Sequence, residues 1–547
     1  MDHLPPASAI FLTGFMGTGK STNGRRLAER LGLAFADTDE LVASLAGKCI
    51  PRIFSEDGEE AFRALESESL RQAVRGPRAV VATGGGMMLR PGNVAVMRAA
   101  GPIICLEARP ETILARTARS NDRPLLQADD PLQAIRSLLA ERRPFYQEAD
   151  HTIGADRPDR SAVLGEISEV LARDPRSAVL VQKRTRVRVR VGDEPYSIHI
   201  ESRAFEKLGA LCPPPAGGTR CAVITTDLIG PLYGERVARA LGGAGWTVTL
   251  VEIADGEASK TLATAGELYE RLVEAGVDTG GAVFALGGGV VGDLAGFVAA
   301  TYRRGIRLAQ LPTSLIAQVD ASVGGKVAVD HPRAKNLVGT FYQPHCVVID
   351  SDTLDTLPER ELRGGLAEVI KHAAIADATM FGFLESQAGR LCALDSIEMR
   401  YLLARNCQIK AGVVEKDPFD RGLRACLNYG HTVGHAVERA AGQWDFRHGE
   451  AVAVGMAAEA WATWRAGLCD EPTFRRQVDL LEAAGLPTAA PGLDLDRAAA
   501  ALQLDKKIAA GHLRLPIVRA IGSVEIAEGV APEALLDALR HAVGAPD

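Results

Sequence analysis

The stretch Ala9-Ile-Phe-Leu-Thr-Gly-Phe-Met-Gly-Thr-Gly-Lys-Ser21 decides the fold of the first third of the chain. Its apolar start predicts a β-strand. Gly14 to Ser21 then matches G-x-x-x-x-G-K-[ST], and STNGRRLAERLG after it predicts a helix. A strand, a glycine loop and a helix in that order form a phosphate cradle. Glycines let successive backbone N–H groups converge on phosphate oxygens, and the helix start adds partial positive charge. Lys20 is placed to reach the β- and γ-phosphates and the Ser21 hydroxyl to hold Mg²⁺, with Gly17, Thr18, Gly19 and Thr22 completing an ATP loop.

Working outward, RAVVATGGG and GPIICLEA repeat the strand-then-turn pattern, and LAFADTDELV reads as strand and loop. That βαβ rhythm predicts a parallel sheet over residues 1–172. A join follows at 173–183. The run KRTRVRVR looks like a nucleic-acid arm, but Val187, Val189 and Val191 alternate with arginine, which is the period of a strand with one wet face. CAVITTDL, WTVTLVEI, AVFALGGG, IRLAQLPTS and HCVVID make 184–352 a second α/β region, and 353–547 reads as mostly helical. The 547 residues have room for three or four domains at roughly 150 residues each.

Composition narrows the class. With 47% hydrophobic and 24% charged residues the chain is globular. A net charge of -7 argues against a nucleic-acid-coating protein. No apolar run reaches the roughly 18 residues of a membrane span. Nine cysteines without a C-x-x-C pair suit a reducing compartment and not a disulfide framework. The N-terminus lacks the basic region of a signal peptide, so the expected location is cytoplasmic, with small-molecule substrates and neither nucleic acid nor membrane as partner.

After the phosphate loop come Asp37-Thr-Asp39, Phe62-Arg63, Gly84-Gly85-Gly86, Arg123-Pro-Leu-Leu and Glu141-Arg142-Arg-Pro-Phe-Tyr146. Arginine forks bind a carboxylate bidentately, and Asp39 can hold hydroxyls and take the proton of an attacking one. Asp37 could equally be a helix cap. In this order the motifs resemble shikimate kinase across residues 8–172. The resemblance implies that Asp39, Arg63, Gly85 and Arg142 hold shikimate. It also implies that Arg123, in a lid, meets the ATP phosphates, and that Asp37 supports Mg²⁺ through water.

The second half carries a metal pattern. Asn428-Tyr-Gly-His431-Thr-Val-Gly-His435 sets two histidines four apart on one helix face, Arg447-His448-Gly-Glu450 follows, and Glu368 lies on another helix. Three ligands of mixed nitrogen and oxygen type with an open position describe catalytic zinc, and the absence of H-E-x-x-H removes a peptidase reading. FALGGGVVGDLAGF, with Gly289 to Asp293, approximates a dinucleotide turn. Lys326, Lys335, Lys371, Lys410 and Arg424 sit on apolar or glycine-rich segments, which suits an acidic, phosphorylated substrate.

DGEASK, GGGVVGDLAGF, LPTSLIAQVDASVGGKVAVD, KNLVGTFYQP, GGLAEVIKH, GLRACLNYGHTVGHAVE and HGEAVAVGM together resemble 3-dehydroquinate synthase across 184–547. The fold class implied is α/β: a P-loop kinase domain, then a Rossmann-like NAD domain and a mostly α-helical metal-binding domain. The resemblance implies Zn²⁺ (or Co²⁺) on Glu368, His431 and His448. It implies NAD⁺ contacts from Asp255, Gly256, Glu257, Lys260, Gly289, Val290, Val291, Gly292, Asp293, Thr313, Ser314, Lys326, Lys335 and the turn Thr353-Leu354-Asp355-Thr356. Substrate contacts would be Asp320, Asn336, Lys371, Lys410, Arg424, Asn428 and His435, with Lys506 or Lys507 a further one. His435 is the expected proton-transfer group, because imidazole titrates near working pH. The resemblance also suggests a homodimer through the synthase part. The rival for this half is a metal-dependent polyol dehydrogenase, which would not need the cationic set; for the first half it is another P-loop kinase or a nucleotide sensor.

Overall fold

The computed structural model describes residues 9–31, 33–76, 78–117, 130–156, 160–174, 177, 185–192, 195–216, 219–394, 396–441, 446–503, 514–528 and 532–544. The chain forms two compact units, Met1–Lys183 and Arg184–Asp547.

In the first unit β1 (Ala9–Thr13), β2 (Ala34–Asp37), β3 (Ala79–Ala82), β4 (Ile103–Glu107) and β5 (His151–Gly154) make one parallel sheet in the order β2-β3-β1-β4-β5. Helices cover both faces, so β1 is buried throughout. Phe11, Val81 and Cys105 pack on one side; Ile10, Leu12, Val80 and Ile104 pack on the other, against Leu27. Leu27 belongs to α1 (Lys20–Leu31), followed by α2 (Thr38–Ala46), α3 (Gly58–Arg75) and α4 (Pro131–Tyr146). The expected loop after β2 is instead a helix. Asp37 caps α2 by accepting the Asp39 N–H at 3.0 Å. Phosphate loop, Asp37 and the Gly84–Gly86 turn all leave carboxyl ends of strands, where open α/β sheets bind ligands.

In the second unit the strands β6 (Thr185–Val189), β7 (Tyr196–Glu201), β8 (Arg220–Thr226), β9 (Thr247–Ile253), β10 (Ala282–Gly287), β11 (Arg307–Pro312) and a strand at Cys346–Asp350 form a seven-stranded sheet. It is parallel except where β6 runs against β7. The valine alternation is a strand, as read: Val187 and Val189 are buried while Arg186, Arg188 and Arg190 are exposed. β12 (Lys326–His331) and β13 (Ala334–Phe341) form an antiparallel hairpin ahead of that seventh strand, here β14. Sequence periodicity had no hold on β13, because almost every residue of it is exposed.

Helix α5 (Gly289–Thr301) opens at the end of β10; α6 (Glu359–Ala376), α7 (Ser396–Lys416), α8 (His431–Ala440) and α9 (His448–Arg465) build the helical layer. A hairpin of β15 (Arg514–Ala520) and β16 (Ser523–Glu528) joins it, with the Gly522 N–H on the Ala374 carbonyl at 2.8 Å. Cys212 and Cys346 are joined in the sheet core across 134 positions, a pairing their spacing did not signal. The other seven cysteines are free. Among the described residues, no helix is long and apolar enough to cross a membrane.

Candidate active sites

A cavity of about 1160 Å³ opens on the phosphate loop of the first unit. Gly14 has φ +128°, and a Cβ there would lie 2.3 Å from the Leu106 carbonyl oxygen, so only glycine fits. Lys20 folds back on the loop, donating to the Gly14 and Phe15 carbonyls at 2.9 and 3.0 Å. Ser21, in the first turn of α1 beside Thr22, donates to Asp37 Oδ2 at 2.6 Å. Asp37 is thus both helix cap and partner of the hydroxyl that would hold Mg²⁺.

Opposite, Arg63 on α3 pairs with Glu66 at 2.6 Å and Glu59 at 3.0 Å. Its guanidinium fills the space a Cβ on Gly86 would need. Burial lifts the Glu66 carboxyl above its ordinary value, against the pull of Arg63. Arg142 on α4 is buried and lies over Phe15, and the Tyr146 hydroxyl donates to the Gly85 carbonyl at 2.7 Å. Asp39, Arg63, Gly85 and Arg142 therefore share one cavity with the phosphate loop. Glu66, three residues after Arg63, was missed by sequence reading, though its spacing on a helix could have signalled it. Arg123 lies outside the described residues.

In the second unit Glu368, His431 and His448 present ligand atoms that all lie within 4.8 Å of one another. Glu368 Oε1 is 3.7 Å from His431 Nε2 and 3.6 Å from His448 Nε2. The carboxylate is wholly buried, and neither oxygen receives a hydrogen bond; Lys371 is the ion-pair partner of Oε2. Each imidazole is anchored by its other nitrogen. His431 Nδ1 meets the Tyr429 carbonyl at 3.2 Å, and His448 Nδ1 meets Glu438 at 3.0 Å. Histidines so tied, aimed at a buried carboxylate, fit a divalent zinc-type ion. Burial and Lys371 push His431 down to about 3. Burial also lowers His448, but the Glu368 and Glu438 carboxylates beside the ring outweigh it and hold it at about 10. Glu438 stood in the quoted motif without a role. His435, exposed, has its ring 5.4 Å from that of His431.

The cations of this unit sit against carboxylates and an amide oxygen. Lys410 is 2.6 Å from Asp320, Lys326 is 2.5 Å from Asp420, and Lys260 is 2.6 Å from Asp293 and 2.5 Å from Asn336. Burial would raise the Asp320 carboxyl, but Lys410 and Lys371 hold it well below the usual range. Arg424 is buried on a loop closed by Asp417, whose carboxylate accepts three backbone N–H groups, from Arg421, Gly422 and Arg424, at 2.8 to 3.0 Å. Asn428 is half-buried at the end of that segment.

Asp255, Gly256 and Glu257 form the turn after β9, and Lys335 on β13 is 3.9 Å from Glu257. Gly289, Val290, Val291, Gly292 and Asp293 form the first turn of α5, with Val291 in the core. Thr313 and Ser314 follow β11, and Thr353, Leu354, Asp355 and Thr356 follow β14. Thr353 is committed inward, accepting from Gln318 at 2.9 Å, so its hydroxyl serves the turn. Lys506 and Lys507 lie outside the described residues.

The chain is 45% identical over 356 residues to the 3-dehydroquinate synthase of Desulforamulus reducens, covering 65% of this chain and 99% of that one. The chain belongs to the 3-dehydroquinate synthase family. The 3-dehydroquinate synthase of Pelobacter propionicus is 46% identical, over 63% of this chain and 97% of that one. Family models for the synthase N-terminal and C-terminal parts match residues 250–364 and 365–508, and the shikimate kinase model matches 16–172. The synthase unit is also similar to a solved 2-deoxy-scyllo-inosose synthase complexed with carbaglucose-6-phosphate, NAD⁺ and Co²⁺. That likeness has TM-score 0.61 and 25% identity, and it covers 66% of this chain and 100% of the other. A 2-epi-5-epi-valiolone synthase from Streptomyces hygroscopicus, with NAD⁺ and Zn²⁺ bound, has TM-score 0.57 and 29% identity, over 64% of this chain and 98% of that one.

Proposed function

We infer that this chain is a bifunctional enzyme of small-molecule biosynthesis. Its first unit phosphorylates shikimate with ATP. Its second converts 3-deoxy-D-arabino-heptulosonate 7-phosphate into 3-dehydroquinate with release of phosphate. The observation that carries the synthase reading is the convergence of Glu368, His431 and His448 beside the Lys371 ammonium, in a chain so similar to 3-dehydroquinate synthases along their whole length. A neutral polyol would not require Lys326, Lys371, Lys410 and Arg424.

In the kinase unit Lys20 and the loop N–H groups neutralise and orient the phosphates, Ser21 would hold Mg²⁺ to shield their charge, and Arg63 and Arg142 clamp the substrate carboxylate while Asp39 takes the hydroxyl proton. In the synthase unit, NAD⁺ when bound supplies a transient hydride acceptor, and Zn²⁺ or Co²⁺ supplies Lewis acidity. Asp320 and Asn428 hold hydroxyls, Lys371, Lys410, Lys326 and Arg424 neutralise the phosphate and carboxylate, and His435 moves the proton. The family resemblance supports a cytoplasmic homodimer assembled through the synthase unit, which sedimentation at several concentrations tests.

Two assays on the purified chain decide the reading. With heptulosonate phosphate and catalytic NAD⁺, phosphate release without net NADH is expected; stoichiometric NADH would mean a dehydrogenase. ATP turnover should depend on shikimate and be lost in Arg63→Ala; turnover indifferent to shikimate would mean another kinase.

A further inference from the structure

At the floor of the synthase site lies an ionisable group that none of the roles above uses. His372, on α6 one turn beyond Glu368, is wholly buried. Its Nδ1 faces Asn406 Oδ1 at 2.9 Å. The Asn406 amide is itself oriented, because its Nδ2 donates to the Leu402 carbonyl at 2.7 Å, leaving the oxygen towards the ring. Nδ1 therefore carries the imidazole proton, and Nε2 keeps a bare lone pair. That lone pair meets no protein donor and lies 3.9 Å from Asp320 Oδ1. His372, Asp320 and Glu368 bring their polar atoms within 4.8 Å of one another.

Leaving a buried acceptor without a donor is costly, so the position is built to receive one. Charge decides which kind. Lys371 pairs with Glu368 and Lys410 with Asp320, so two ammonium groups already balance two carboxylates. A second metal ion would face both ammonium groups. Burial and Lys371 hold the imidazole down to about 4, so it stays neutral at working pH. What fits is a neutral O–H.

Resting on the synthase reading, we propose that His372 is a positioning residue for that reaction. Its Nε2 accepts a hydrogen bond from a substrate hydroxyl next to the one that Asp320 Oδ1 holds, or from a water whose second hydrogen reaches Asp320 Oδ1, and so fixes the carboxylate that holds the substrate's hydroxyls.

The test uses the full chain loaded with metal and NAD⁺ and labelled with ¹⁵N in its histidine rings. His372 should be protonated on Nδ1 only. An Nε2 signal already shifted as a hydrogen-bond acceptor means water; a shift on adding heptulosonate phosphate means a substrate hydroxyl. A protonated Nε2, or one that is unshifted in both states, overturns the proposal. In kinetics, His372→Leu should raise KM for heptulosonate phosphate about tenfold, the worth of one buried hydrogen bond. His372→Gln, which still offers an acceptor, should recover most of it. Unchanged KM in His372→Leu, or equal losses in both variants with a lowered unfolding temperature, would make His372 an ordinary core residue. Wild-type chain that releases no phosphate would sink the synthase reading instead.

Discussion

Gly14 and Glu438 are single residues whose roles differ in kind. Gly14 combines a positive φ with contact against the Leu106 carbonyl, so Gly14→Ala strains backbone that has nowhere to move. We expect the kinase unit to lose about 1–3 kcal/mol of stability, read by thermal unfolding, and shikimate phosphorylation to vanish. Glu438 was given no ligand role by the sequence; it holds the His448 ring by Nδ1. Glu438→Gln should weaken metal binding about 10–100-fold. Synthase activity would fall at limiting metal and return at excess, while shikimate-dependent ATP turnover stays unchanged. Equal metal affinity in both proteins would remove Glu438 from the centre.

The loop between Asp417 and Arg424 is an element built by one carboxylate. With three N–H donors on it, Asp417 is held below its ordinary value, the hydrogen bonds from Arg421 and Arg424 acting first. A depressed carboxyl contributes stability that is fully present above its unfolded value, about 3.9, and is lost as pH falls through the lower folded value. The difference in unfolding free energy between wild type and Asp417→Asn should therefore be flat above about pH 5 and shrink below about pH 4. A difference that grows on acidification would contradict this. At neutral pH Asp417→Ala should raise KM for heptulosonate phosphate about tenfold, by freeing Arg424. The paired hairpins at 326–341 and 514–528 belong to the same scale. Neither was visible as periodicity, because β13 is wet on both faces and strand pairing is set by the partner chain segment.

At the scale of the molecule two units share one polypeptide, divided at Lys183 and Arg184. Each holds its own core and its own site residues, so halves separated within 173–183 should each keep kcat within about twofold of the whole chain. A larger loss in either half would reveal coupling between the units. The sequence by itself determined the α/β class and the phosphate loop, and it named the cations and the candidate metal donors. These depend on local spacing: a glycine loop between strand and helix, or two histidines four apart on a helix. Only the tertiary structure decided how closely Glu368 meets histidines more than sixty positions away and that His372 turns a bare nitrogen towards Asp320. Such partners are set by which helices pack together, and no spacing along the chain encodes a distance across a core.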